Sequence, residues 1–159
     1  MHPSKTLLAC FLMTVSTIAT AKDHRQTLTL SEAQRGHVYA EMQALLSGTQ
    51  GILAALARDD MAAVAKQARP LGMGMSHKAE DHLHGVLPKD FMTRGMAVHQ
   101  TFDQIAADAT AKKDPKLTLR QLSETLGQCV ACHATYQIRS TASSAKPAPT
   151  QPSDHDHHH

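Results

Sequence analysis

Apolar residues recur every three or four positions through four segments of the chain, and this spacing predicts four amphipathic helices. The first starts after Ser31, with Gln34 as its capping-box partner, and carries Val38, Met42, Leu45, Leu46, Ile52, Leu53 and Leu56 along one stripe to about Ala57. Gly48 and Gly51 weaken it by about 1 kcal/mol each relative to Ala without interrupting the stripe. Asp59-Asp60 supplies a turn and an N-cap for a second segment reaching about Arg69, in which Met61, Val64, Ala65 and Ala68 share a face. Pro70, Gly72 and Gly74 kink or stop it, and residues 75–88 read as a connection. A third helix follows from Phe91, Gly95, Val98, Phe102, Ile105 and Ala109, and Asp114-Pro115 closes it. The fourth carries Leu119, Leu122, Leu126, Cys129, Val130, His133 and Tyr136 on its expected inner face.

The two ends are different in kind. Residues 1–21 combine a basic start at Lys5, an apolar run from Leu7 through Ile18 and the small-x-small triplet Ala19-Thr20-Ala21, the pattern of a secretory signal peptide cleaved before Lys22. The run is well short of the roughly 20 apolar residues that cross a bilayer, and no later segment is as hydrophobic, so no membrane anchor is expected. Leu7-Leu8-Ala9-Cys10 differs from a lipoprotein box because most of the apolar run follows the cysteine. Residues 22–30 read as a lead-in and 31–139 as the helical domain. Residues 140–159, rich in Ser, Ala, Pro and Thr, read as a disordered tail ending in Asp154-His155-Asp156-His157-His158-His159.

Composition narrows the class. With 159 residues, 42% apolar content, 3% aromatic content and no Trp, the chain is built mainly from good helix formers and suits one small all-α domain. So few aromatics leave a core that gains from a large, flat apolar prosthetic group. The formal charge of +2 carries no nucleic-acid footprint.

Chemistry concentrates in Cys129-Val130-Ala131-Cys132-His133. This is the spacing by which a chain attaches a c-type haem: two thiols add to the two porphyrin vinyl groups, and the adjacent imidazole reaches the iron. Loss of the leader removes Cys10 and leaves Cys129 and Cys132 as the only cysteines, so an exported chain holds no structural disulfide. A redox-active Cys-x-x-Cys usually opens a helix rather than ending one, and a structural zinc site needs a second ligand pair. Met73, Met75, His77, His82 and His84 crowd the connection with soft ligands suited to copper, although their spacing does not set three on one helix face. Met92, Met96 and His99 share a face of the third helix, which makes His99 an alternative iron ligand.

A secreted chain with four helical segments and Cys-x-x-Cys-His-x-x-Tyr near the end of the last one resembles the cytochrome c′ family, over about residues 31–139. The resemblance implies an antiparallel four-helix bundle with one covalent haem c on the C-terminal helix, Cys129 and Cys132 as thioether residues and His133 as the proximal ligand. It places Arg35 near the haem propionates. It also implies that the first helix supplies the distal side, where Met42 as sixth ligand gives a periplasmic electron carrier, and Tyr39 over five-coordinate iron gives a binder of NO or CO. Tyr136 is followed by Gln137 where the family often has Arg, with Arg139 two places later. Partners are expected to be redox proteins, without nucleic acid, and relatives of this fold pair as dimers through their first two helices. No acid and base pair is tied to the iron, so the expectation is a carrier or binder and not an enzyme. A periplasmic metal-binding protein acting through the His-rich tail is the remaining alternative.

Overall fold

The computed structural model describes residues 22–76, 83 and 85–141. The leader, the tail beyond Thr141, and His77, His82 and His84 of the copper alternative lie outside the described residues.

The chain is mostly helical, with β1 (Gln26–Leu30), α1 (Glu32–Leu56), α2 (Met61–Ala68), a 3-10 turn at Arg69–Leu71, a short α3 (Met73–Ser76), α4 (Lys89–Ala111), α5 (Pro115–Thr135) and β2 (Tyr136–Ser140). The helix boundaries follow from capping chemistry. The Ser31 hydroxyl accepts from the Gln34 N–H at 3.3 Å while the Gln34 side chain accepts from the Ser31 N–H at 3.0 Å, so α1 starts where the capping box places it. Asp60 caps α2 through the Ala63 N–H, and Asp59 takes the left-handed turn at φ 54°. Pro70 tightens the end of α2 into the 3-10 turn. Asp114 caps α5 with Pro115 in its first turn.

Two corrections follow. The lead-in holds a strand that an all-α chain would not have: Gln26-Thr27-Leu28-Thr29-Leu30 alternates with the period of a strand and pairs in parallel with Tyr136–Ser140, Leu28 beside Ile138. Tyr136 therefore opens β2 and does not end the last helix, and the ordered chain runs past Arg139 to Ser140.

The second correction concerns the face that α5 buries. Leu119, Leu126 and Val130 are 48%, 44% and 70% exposed, whereas Thr118, Gln121, Leu122 and Thr125 are buried. Thr118 and Thr125 are satisfied within their own helix, donating to the carbonyls four residues back, and Gln121 Nε2 donates to Asp108 of α4 at 2.8 Å while its Oε1 has no partner among the described residues. That bond fixes the rotation of α5 on α4. The packed positions 118, 122 and 125 then continue at the same helical spacing to Cys129 and Cys132.

One apolar cluster joins α1, α2, α4 and α5 around Ile52, Val64, Phe102, Ile105 and Leu122. A second, around Leu28, Leu30, Val38 and Tyr136, glues the strand pair to the start of α1, with Phe91 edge-on to Tyr136 at 5.4 Å. The α1–α2, α2–α4 and α4–α5 pairs pack closely, while α1 and α5 share no extensive contact. Among the described residues no helix is long and apolar enough to cross a membrane.

Leu30 is 1% exposed, so Leu30→Ala is expected to cost about 2–4 kcal/mol in chemical denaturation, against almost nothing for the exposed Thr29→Ala. Equal effects at both positions would remove the strand pair from the stabilising core.

Candidate functional site

Because α1 and α5 are held apart, a cleft of about 830 Å³ opens between them, within the roughly 300–1,000 Å³ of pockets that take a cofactor-sized ligand. All six residues singled out in the sequence line it: Arg35, Tyr39 and Met42 from α1, and Cys129, Cys132 and His133 from α5.

The α5 wall carries its three residues in the last two turns of the helix, which ends when Tyr136 adopts extended dihedrals. Cys129 and Cys132 are half-buried and unbridged, and His133 is exposed, with its carbonyl accepting from Arg25 at 3.5 Å. Burial pushes both thiols above their ordinary value, and the Arg94 charge offsets only part of this at Cys132. The negative end of the helix dipole further disfavours a thiolate here. Both effects oppose the lowered thiol that disulfide exchange requires, and favour neutral thiols against an apolar space.

The α1 wall presents Val38, Met42 and Leu45 at helical spacing. At about 100° per residue, Met42 lies some 40° round the helix from buried Val38, and Tyr39 about 100° round. Their exposures, 38% for Met42 and 60% for Tyr39, agree with that rotation. Arg35 is committed to Glu32 at 2.9 Å, with its guanidinium 5.9 Å from the centre of the Tyr39 ring. Glu32 also accepts from Ser140, so the start of α1 is tied to β2 at the cleft mouth.

Sequence reasoning missed the third wall, on α4. Gly95 sits mid-helix with no protein atom within 4 Å of where a Cβ would be, so its missing side chain makes room in the cleft and serves no helix–helix contact. Arg94 has a buried Nε without a hydrogen-bond partner among the described residues, and it makes a loose ion pair to Asp90 at 3.9 Å. Arg94 lines the cleft, and a guanidinium there suits an acidic ligand group. No periodicity marks a lone arginine as inward-facing. The alternation in residues 26–30 was the available signal for the strand that brings Arg25 to the rim.

His99 is not free to act as an iron ligand, which corrects that alternative. Its Nδ1 lies 2.7 Å from the Leu71 carbonyl and its Nε2 2.7 Å from Glu41, and the ring is 2% exposed. Both partners are acceptors, so both nitrogens donate. Met92 packs into the strand-side cluster and Met96 is half-buried. Among the described residues no three His, Cys, Asp or Glu side chains converge on a site for a bare metal ion. No family model, no curated protein and no solved structure matches the chain.

Burial alone would lower His99, but the hydrogen bonds to Glu41 and Leu71, with the nearby charges of Glu41 and Asp103, hold it above its ordinary value. A raised folded value makes its stability contribution complete below the unfolded histidine value of about 6.5 and lost as pH climbs through the folded one. His99→Gln is therefore expected to cost on the order of 2 kcal/mol near pH 5.5, with the gap to wild type narrowing in alkaline denaturation series. A pH-independent gap would contradict the imidazolium assignment.

Proposed function

We propose that the chain is a c-type cytochrome: a carrier of single electrons through one covalent haem c, held in the cleft between α1 and α5. The observation that carries this reading is the placement of Cys129, Cys132 and His133 on one wall of an apolar cleft of about 830 Å³ with Met42 on another. The fit is supported by the neutral thiols, the empty space beside Gly95 and the Arg94 side chain on the cleft wall.

Each thiol would add its S–H across one vinyl group, sulfur to one carbon and hydrogen to the other, so attachment consumes no oxidant. His133 would hold the iron from α5, where it directly follows Cys132. Arg94, with Arg35 and Arg25 at the rim, would meet the acidic groups of the macrocycle. When bound, the haem supplies reversible one-electron exchange.

Met42 is the residue proposed for the distal side. Its smaller rotation from the buried face and lower exposure favour it over Tyr39. With Met42 and His133 both holding it, the haem would have a raised reduction potential and no room for a further ligand, which would suit outer-sphere transfer to a redox partner protein. Tyr39 over an open iron would instead make the chain a binder of NO or CO. The leader-like residues 1–21 support a periplasmic address, where such haems are attached. Exposed Leu46 and Leu53 on α1 are available for the homodimer that the family resemblance implies.

Protein matured with the haem-attachment machinery is expected to be low-spin when oxidised, with a methionine-to-iron charge-transfer band, and to bind CO slowly when reduced. Met42→Ala should give a high-spin spectrum and fast CO binding. A high-spin wild type would turn the account to Tyr39 and gas binding, and an unchanged Met42→Ala spectrum would take Met42 off the iron.

A further inference from the structure

The pair Glu41–His99 is the largest polar investment in the cleft that the haem reading leaves unused. His99 is buried at 2% exposure, and the Glu41 side chain is only 15% exposed. The two bonds of the ring, each 2.7 Å, join three separate elements: Glu41 of α1, His99 of α4 and Leu71 of the 3-10 turn after α2. Bonds this short between buried partners tolerate little rotation.

Glu41 directly precedes Met42. On α1 it lies about 60° to one side of Val38, while Met42 lies about 40° and Tyr39 about 100° to the other. Rolling α1 by about 60° would therefore bring Tyr39 to the position that Met42 holds. The second half of α1 is seated by close contacts, since a Cβ on Gly48 would overlap the Leu71 side chain and one on Gly51 would stand 2.9 Å from Gln67. Before those glycines, α1 rests on the strand pair through Val38 and Glu32 on one side and borders the open cleft on the other, where Glu41 makes its side-chain bond across to α4.

We infer that Glu41 and His99 are positioning residues: their bond, backed by the Leu71 carbonyl, fixes the rotation of the first half of α1 so that Met42 lies nearer its buried face than Tyr39, although both line the cleft. The chemical consequence rests on the haem reading, because it decides whether the iron is closed by a thioether or left open to a diatomic ligand. The mechanical one does not.

The test uses the full chain as isolated after maturation, with two readouts. In Glu41→Ala, backbone amides of residues 32–42 are expected to exchange with solvent about tenfold faster relative to those of α4, as for the loss of one buried charged hydrogen bond. The same variant should keep its haem stain on a denaturing gel, move from low-spin toward high-spin and bind CO at least about tenfold faster. Glu41→Gln, which still accepts from Nε2, should stay within about twofold of wild type in both readouts, and His99→Phe, which keeps a ring but removes both bonds, should match Glu41→Ala. Glu41→Met, which keeps the stem and drops only the bond, repeats the comparison if the alanine variant does not fold. Wild-type exchange and spectrum in Glu41→Ala, or a Glu41→Gln variant as disturbed as Glu41→Ala, would overturn the inference. If wild type carries no haem, the functional reading fails while the exchange comparison still decides the clamp.

Discussion

Apolar surface left open to water is unfavourable, and this fold leaves a mostly apolar cleft open between α1 and α5, which border it without extensive contact with each other. The separation is built in. At one end the parallel pair β1–β2 ties the chain before α1 to the chain after α5, and its buried Leu30 and Tyr136 anchor a cluster of their own. On the far side, α5 is locked to α4 by the Asp108–Gln121 bond and α1 to α2 by the close contacts at Gly48 and Gly51. The two helices that border the cleft are thus each held from behind. A flat apolar group that fills the gap removes its surface from water and completes a core otherwise poor in aromatics.

The proposed covalent attachment follows the same logic. The thiols are placed on the packed face of α5 and kept neutral by burial, near the negative end of the helix, where a nucleophilic thiolate would be disfavoured. Opposite them, α1 offers one soft ligand and one aromatic within a single turn. The difference between an electron carrier and a gas binder then comes down to helix rotation, which on this account the Glu41–His99–Leu71 chain sets.

Much of the helical order was legible in the sequence because it rests on local rules: the Ser31–Gln34 capping box, the Asp60 and Asp114 caps and the Pro70 stop depend on residues within a turn of one another. The face of α5 was not. Leucine spacing pointed to Leu119, Leu126 and Val130, but threonines that bond back to their own helix can be buried at low cost, and a single cross-helix bond from Gln121 rotated the leucines outward. Cys129 and Cys132 face inward all the same, as the continuation of a polar and not an apolar stripe. The strand pair was missed because each strand is only five residues long and its partner lies at the far end of the domain. Of the cleft, the residues with distinctive chemistry were named in advance; Arg94, Gly95 and the Glu41–His99 bond depend on which elements meet, which no local pattern encodes.

The central claim is that one porphyrin is bonded through both thiols of the last helix. Intact-mass measurement of the exported, matured chain after denaturation tests it most directly. The account predicts a mass above that of the leaderless polypeptide by one haem, retained under denaturing conditions and absent from a Cys129→Ala/Cys132→Ala double variant. A wild-type chain with the bare polypeptide mass, when a control cytochrome in the same cells carries its haem, would contradict it.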